Sequence, residues 1–187
     1  KHIFEESLIG NLIDSALVLE NDGATAINFN DNQPDEEACN FLKNKFKSID
    51  LAMLGFNSAG PYPSCFDNFT NEEKIGENKR IIKRNFDQLC NIIPILQPRS
   101  VLPFAGSYII GGNNYYKNEY LGTTTWEECA EYLNKNLKFD TKVFCLRENQ
   151  TYDIKNQKQL EKYDKLDLNE MKKYILSLKD KKYEYSI

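Results

Sequence analysis

Apolar positions in this chain follow two alternating rhythms: short unbroken runs, and longer stretches in which they recur every three or four residues. Ser15–Glu20 is a short apolar run that stops at the turn-forming triplet Asn21-Asp22-Gly23, and Thr25–Phe29 reads as its return, so the pattern predicts a β-hairpin over residues 15–30. The polar cluster Asn30–Pro34 ends it. Asp35 then stands as an N-cap before Ala38, Phe41, Leu42 and Phe46 at helical spacing. Ile49–Gly55 predicts a strand buried on both faces, and Asn57–Pro63 a loop. The longest helical pattern runs from Asn71 to Leu96, with Ile75, Ile82, Phe86, Leu89, Ile92 and Ile93 as its apolar stripe and Pro94 expected to end or kink it. Val101–Ala105 predicts another strand, followed by a glycine-rich run from Gly106 to Gly112. Thr125 is placed to cap a helix carrying Trp126, Cys129, Ala130, Tyr132 and Leu133. Thr141–Leu146 predicts a late strand, residues 149–167 a poorly ordered polar excursion, and residues 168–179 a final helix. The order ββ-α-β-α-β-α-β-α predicts a layered α/β sheet, with no internal repeat.

Composition narrows the function classes. The 187 residues are 41% hydrophobic, enough for a packed core of one domain or of one large half of a bigger one. A net charge of −4 with scattered Lys and Arg argues against nucleic-acid binding, which needs a concentrated basic surface. The late lysines Lys179, Lys181 and Lys182 read as a solvated helix end. No apolar run approaches the roughly 20 residues of a membrane span. The five cysteines form no CxxC pair, which excludes a zinc ribbon or disulfide framework and predicts reduced thiols in a cytoplasm. Asn68-Phe69-Thr70 and Asn149-Gln150-Thr151 match the glycosylation pattern, but nothing else points to secretion. The chain opens at Lys1, so upstream sequence is expected to have been trimmed or removed.

In layered α/β folds, ligands collect beyond the carboxyl ends of the strands. Three polar loops here follow predicted strands: Asn30–Gln33, Asn57–Tyr62 and Phe104–Tyr108. Asp31 is either a cation-binding or ligand-contacting carboxylate, or a turn residue bonding its own backbone. Asn32, Gln33, Asn57, Ser58, Gly60 and Tyr62 are candidate ligand contacts on two of these loops, against the alternative of a rigid loop shaped by Pro61 and Pro63. Gly106, Ser107 and Tyr108 extend the set on the third, although their glycine spacing matches no phosphate-binding fingerprint. Asn118 and Glu119 end a polar-aromatic run starting at Asn113, suited to sugar or nucleotide recognition or to a half-buried surface loop. The single histidine, His2, cannot build a histidine-rich metal site or a triad.

These loops carry a resemblance. Asp14–Glu20, Ile27–Asp31 and Asp50–Phe56 follow the order of the second half of a metallo-β-lactamase-like αββα sandwich. Leu96-Gln97-Pro98-Arg99, Pro103-Phe104-Ala105-Gly106 and Asn118-Glu119, with Asn57-Ser58-Ala59-Gly60 and Tyr62-Pro63, resemble the C-terminal region of CMP-N-acetylneuraminate hydroxylases and their bacterial relatives, over residues 10–135. The resemblance implies an α/β fold forming half of an αββα sandwich, a mixed sheet covered by helices. It implies one domain over 1–187, with 149–187 as a peripheral extension. It implies a metal-dependent hydrolase-like parent protein acting on a sugar or sugar-nucleotide, with Asp31 at the metal-bridging position. The family's HxHxDH motif is absent, no histidine follows Pro103-Phe104-Ala105-Gly106, and the Cys/His spacing of a Rieske centre does not occur, so hydroxylase activity is not implied. The expectation is therefore a divalent metal (zinc, iron or manganese) in a longer protein, none in this chain alone, and a partner in the form of a missing N-terminal half or a second copy. The alternative is a non-catalytic ligand-binding or assembly module.

Overall fold

The computed structural model describes residues 15–104 and 106–182; His2, Asp14 and Ala105 fall outside them. The first predicted hairpin forms as β1 (Leu17–Asn21) and β2 (Ala24–Asn28), antiparallel, with Asn21 opposite Ala24. Asp22 and Gly23 between them both take positive φ, 49° and 77°, the geometry a two-residue hairpin turn demands. Next come α1 (Glu36–Lys45), β3 (Leu51–Gly55), α2 (Asn71–Leu96) and β4 (Ser100–Phe104). A 3-10 segment (Gly112–Tyr120), α3 (Trp126–Asn136) and β5 (Lys142–Val143) complete the main sheet. Asp35, Thr70 and Thr125 each cap their helix through the side-chain oxygen, the latter two in reciprocal pairs with Glu73 and Glu128.

The sheet runs β1-β2-β3-β4-β5 in chain order, and β2, β3, β4 and β5 are parallel. Parallel neighbours in consecutive order, each joined by a crossover of the same hand, send every crossover helix to one face. The packing agrees. One core joins Ile27, Phe29, Ala52, Leu54 and Val101 to Cys39 and Leu42 of α1, to Phe86, Leu89 and Ile93 of α2, and to Cys129 and Leu133 of α3. The opposite face carries Ala26, Leu51, Leu102 and Phe144, met by Tyr152 and Ile154.

Three expectations are corrected. Ile75 is 42% exposed; stepping back from Leu89 by helical turns reaches Asn85, Ile81 and Lys74, so at the start of α2 Lys74 turns inward in place of Ile75. The predicted span of α2 holds: it runs to Leu96 with Pro94 inside its last turn and closes at left-handed Gln97, whose N–H bonds the Ile93 carbonyl at 2.8 Å. The late strand is short: its ladder covers Ser100 and Val101 of β4, because Pro103 has no N–H with which to extend it. Residues 149–167 are not a bare excursion. They hold a small hairpin, β6 (Tyr152–Asp153) with β7 (Lys158–Gln159), whose Tyr152 ring stacks on Phe144 at 3.9 Å between centroids. The last helix, α4 (Leu168–Ser177), has no buried residue and is tied back by the Gly112 N–H to the Leu178 carbonyl at 2.8 Å.

Asp50 locks the amino edge of the sheet. Its buried carboxylate accepts from the Thr25 N–H at 2.9 Å and from Arg99 at 2.8 Å, and its carbonyl accepts from the Ser100 hydroxyl. One residue thus joins the starts of β2, β3 and β4. Asp50→Ala strands the buried Thr25 N–H, and is expected to cost about 1–3 kcal/mol by urea denaturation with an unchanged slope. A loss below about 0.5 kcal/mol, the scale of an ordinary surface change, would refute this lock.

Candidate functional site

Parallel β2, β3 and β4 end at one edge, so the segments leaving them share one rim. Gly55 ends β3 against the β2 loop: a Cβ there would stand 3.4 Å from the Asn30 carbonyl oxygen, in ordinary contact, and 3.9 Å from Asp31 Cα. The loops after β3 and β4 are braced to each other. Asn57 is the centre of that brace: its Nδ2 donates to the Thr124 carbonyl at 2.8 Å and its Oδ1 accepts from the Thr124 N–H at 2.9 Å. The amide thereby copies the paired bonds of a strand neighbour. Its Nδ2 also reaches the Ser107 hydroxyl at 3.3 Å, and that hydroxyl donates to the Thr124 carbonyl at 3.2 Å. Tyr108 donates to the Gly60 carbonyl at 2.8 Å, and buried Ser64 donates to the Lys117 carbonyl at 2.8 Å.

Several candidate contacts are therefore occupied within the protein. Ser58 accepts from buried Asn85 at 3.1 Å. Asn118 bonds both the N–H and the carbonyl of Ile110, at 2.8 and 2.7 Å, and folds the 3-10 segment upon itself. Asn32 donates to the Ser15 carbonyl at 3.3 Å. Tyr62 packs edge-on against Phe66 and Phe69 and donates to Glu77 at 2.7 Å. The residues left facing solvent on the rim are Asp31, Gln33, Gly60, Gly106, Ser107 and Glu119. Among the described residues, the Asp31 carboxylate enters no hydrogen bond or ion pair.

Thr124, Asn85 and Glu77 were missed as site residues by sequence reasoning. The one available signal was polarity at an inward position of α2, which the apolar stripe masked for Asn85. Two shallow surface depressions lie away from the rim, one on α2 beside Arg80, Arg84 and Asp87, the other beside the Asp22-Gly23 turn and Lys47. Neither gathers reactive chemistry: Arg80 pairs with Glu77, Lys83 with Asp87 and Asp22 with Lys155.

The donor set does not fit a metal. Among the described residues no three His, Cys, Asp or Glu side chains are gathered, and Asp31 is a single exposed carboxylate. The buried thiols are inert as nucleophiles: burial pushes Cys39 and Cys145 up to about 12, and Cys129 is raised too. Among the described residues no helix is long and apolar enough to cross a membrane. Comparison with protein-family models, with curated proteins and with solved structures gave no match to this chain.

Two expected outcomes test the rim. Asn57→Ala removes the paired bonds to Thr124; we expect a loss of about 1–3 kcal/mol and faster hydrogen exchange at the Thr124 amide, whereas unchanged exchange would show the brace to be idle. Glu77 is held at about 2, below its ordinary 4.5, first by the Arg80 guanidinium and then by the Tyr62 hydroxyl. A depressed carboxyl contributes its stabilisation above pH 4.5 and loses it as pH falls toward 2. Carboxyl-carbon NMR should therefore give Glu77 a midpoint near 2 that rises in Arg80→Ala; a midpoint near 4.5 in the unaltered protein would contradict the clamp.

Proposed function

We propose that this chain forms the helix-covered half of a two-sheet sandwich of the metallo-β-lactamase type, and that its carboxyl rim walls a cleft for a sugar-type ligand. The observation that carries the reading is the braced rim: the loops after β3 and β4 are tied together through Asn57, Ser107 and Thr124, beside the β2 loop that carries Asp31, and exposed polar groups face outward from them. Such a rim presents a rigid polar surface, which lowers the ordering cost of binding.

The open sheet face supports the sandwich part. Leu17 and Leu19 stand opposite Asn28 and Ala26 in the β1–β2 register, so they share the face that carries Leu51 and Leu102. They are 48% and 54% exposed, although the β6–β7 hairpin crosses part of this face, stacking Tyr152 on Phe144 and pairing Lys155 with Asp22 at the β1–β2 turn. A second layer packed about 10 Å away is what such a face accepts.

The metal chemistry of the resemblance is not assigned to these residues. By the resemblance, Asp31 would fall at the metal-bridging position, and a complete donor set would have to come from elsewhere in a longer protein. In this chain its role is ligand contact.

Titration with CMP-N-acetylneuraminate, followed by amide NMR in the presence and absence of a chelator, tests the reading. We expect saturable shifts at Asp31, Ser107, Tyr108 and Glu119 that survive chelation and weaken in Asp31→Asn. No rim shifts, together with a solution mass of two copies by light scattering, would replace this reading with the assembly module favoured by the open face.

A further inference from the structure

The main sheet ends in two unlike edges. β5 is two residues long and carries Lys142, so that edge is short and charged. β1 is five residues long and holds neither lysine nor proline. An edge strand's free N–H and C=O groups are a template for another strand, and folded sheets blunt them with short strands, lysines, prolines or bulges. Among the described residues no strand pairs with the outer side of β1. The register shows which groups that side offers. Thr25 of β2 turns away from β1: its N–H meets the Asp50 carboxylate at 2.9 Å and its carbonyl accepts from the Asp50 N–H at 2.8 Å. Phe29 likewise donates to the Met53 carbonyl of β3 at 3.1 Å. Backbone groups alternate sides along a strand, so Ala24, Ala26 and Asn28 bond β1, through Asn21, Leu19 and Leu17 opposite them. Val18 and Glu20 lie opposite Ile27 and Thr25, and so direct their N–H and C=O groups outward.

This edge complements itself. Two copies laid antiparallel about Leu19 set Val18 of each opposite Glu20 of the other, so the outward N–H and C=O groups of both residues find partners. Leu19, 54% exposed, then meets Leu19 of the second copy as a non-hydrogen-bonded pair, with Cα atoms about 4.5 Å apart. No charge faces its like in this register. One centred on Glu20 sets two carboxylates directly opposite each other, which is unfavourable. The two-fold axis stands perpendicular to the sheet, so the open apolar faces of the two copies join side by side.

We propose that the outer edge of β1 is a pairing surface for a second copy of this chain, which joins two five-stranded sheets into one continuous sheet. The pairing does not rest on the ligand cleft, because the groups it uses lie on β1 and not on the rim loops.

Amide hydrogen exchange of the full chain, read beside its solution mass by light scattering as concentration rises about a hundredfold, tests it. We expect the mass to move from one copy towards two. Exchange at Val18 and Glu20 should slow with it by at least about tenfold, while Leu19 and Asn21, bonded to β2, stay protected throughout. Leu19→Lys sets two ammonium groups opposite each other at the seam and is expected to hold the chain as one copy. Glu20→Pro removes an outward N–H without touching the β1–β2 ladder, and should do the same. A single copy at every concentration overturns the pairing. So do two copies whose Val18 and Glu20 amides still exchange freely, because the contact then lies elsewhere. Protection of these amides that ignores concentration assigns the edge to this chain alone and also overturns it, as does a dimer that survives both substitutions. Should either variant fail to fold, the exchange pattern of the unaltered chain decides, since it needs neither. Two copies with Val18 and Glu20 protected support the pairing whether or not ligand shifts Asp31 and Ser107.

Discussion

The structure depends on one topological constraint: parallel strands laid side by side in chain order. Crossovers of uniform hand between β2, β3, β4 and β5 put α1, α2 and α3 on a single face. That choice has two consequences. It concentrates the large core on one side, where Phe29, Leu54, Leu89 and Leu133 are fully buried. It also leaves the other side with a thin apolar layer that the β6–β7 hairpin covers only in part. The same parallelism sends the carboxyl ends of three strands to one edge, so the fold that creates the open face also creates the rim.

The two edges of the sheet are held by different chemistry. At the amino edge, Asp50 draws Thr25, Arg99 and Ser100 together in a largely buried set of bonds. At the carboxyl edge the loops are long and polar, and their order comes from side-chain amides that replace backbone partners. Asn57 does this for Thr124 and Asn118 for Ile110. Amide side chains suit the task because each carries both a donor and an acceptor. Residues spent on that bracing are not free to meet a ligand, which shifts attention to the exposed Asp31, Gln33 and Glu119.

Much of the local structure was legible in the chain. The Asn21-Asp22-Gly23 turn, the caps at Asp35 and Thr125, and the helix–strand alternation all rest on interactions within a few residues, which propensity and spacing encode. The errors came where distant residues decide. The orientation of α2 is set by its packing between α1 and α3, and this turned Lys74 inward and Ile75 outward. The length of β5 depends on which N–H groups β4 can offer, and Pro103 withholds one. The hairpin in residues 149–167 is anchored by the stacking of Tyr152 on Phe144 and by Gln159 on the Cys145 carbonyl at 2.7 Å, partners that no local pattern announces.

By itself, the sequence determined that this is an α/β chain with three polar loops placed after strands, because short-range hydrogen bonding and apolar period specify elements and their order. It did not determine which of those loop residues remain available. Asn57, Ser58 and Asn118 look alike on paper as ligand contacts, yet each is satisfied internally by a partner 67, 27 or 8 residues away. Only the tertiary structure decides that, because a polar group's availability depends on whether the fold has already brought it a partner.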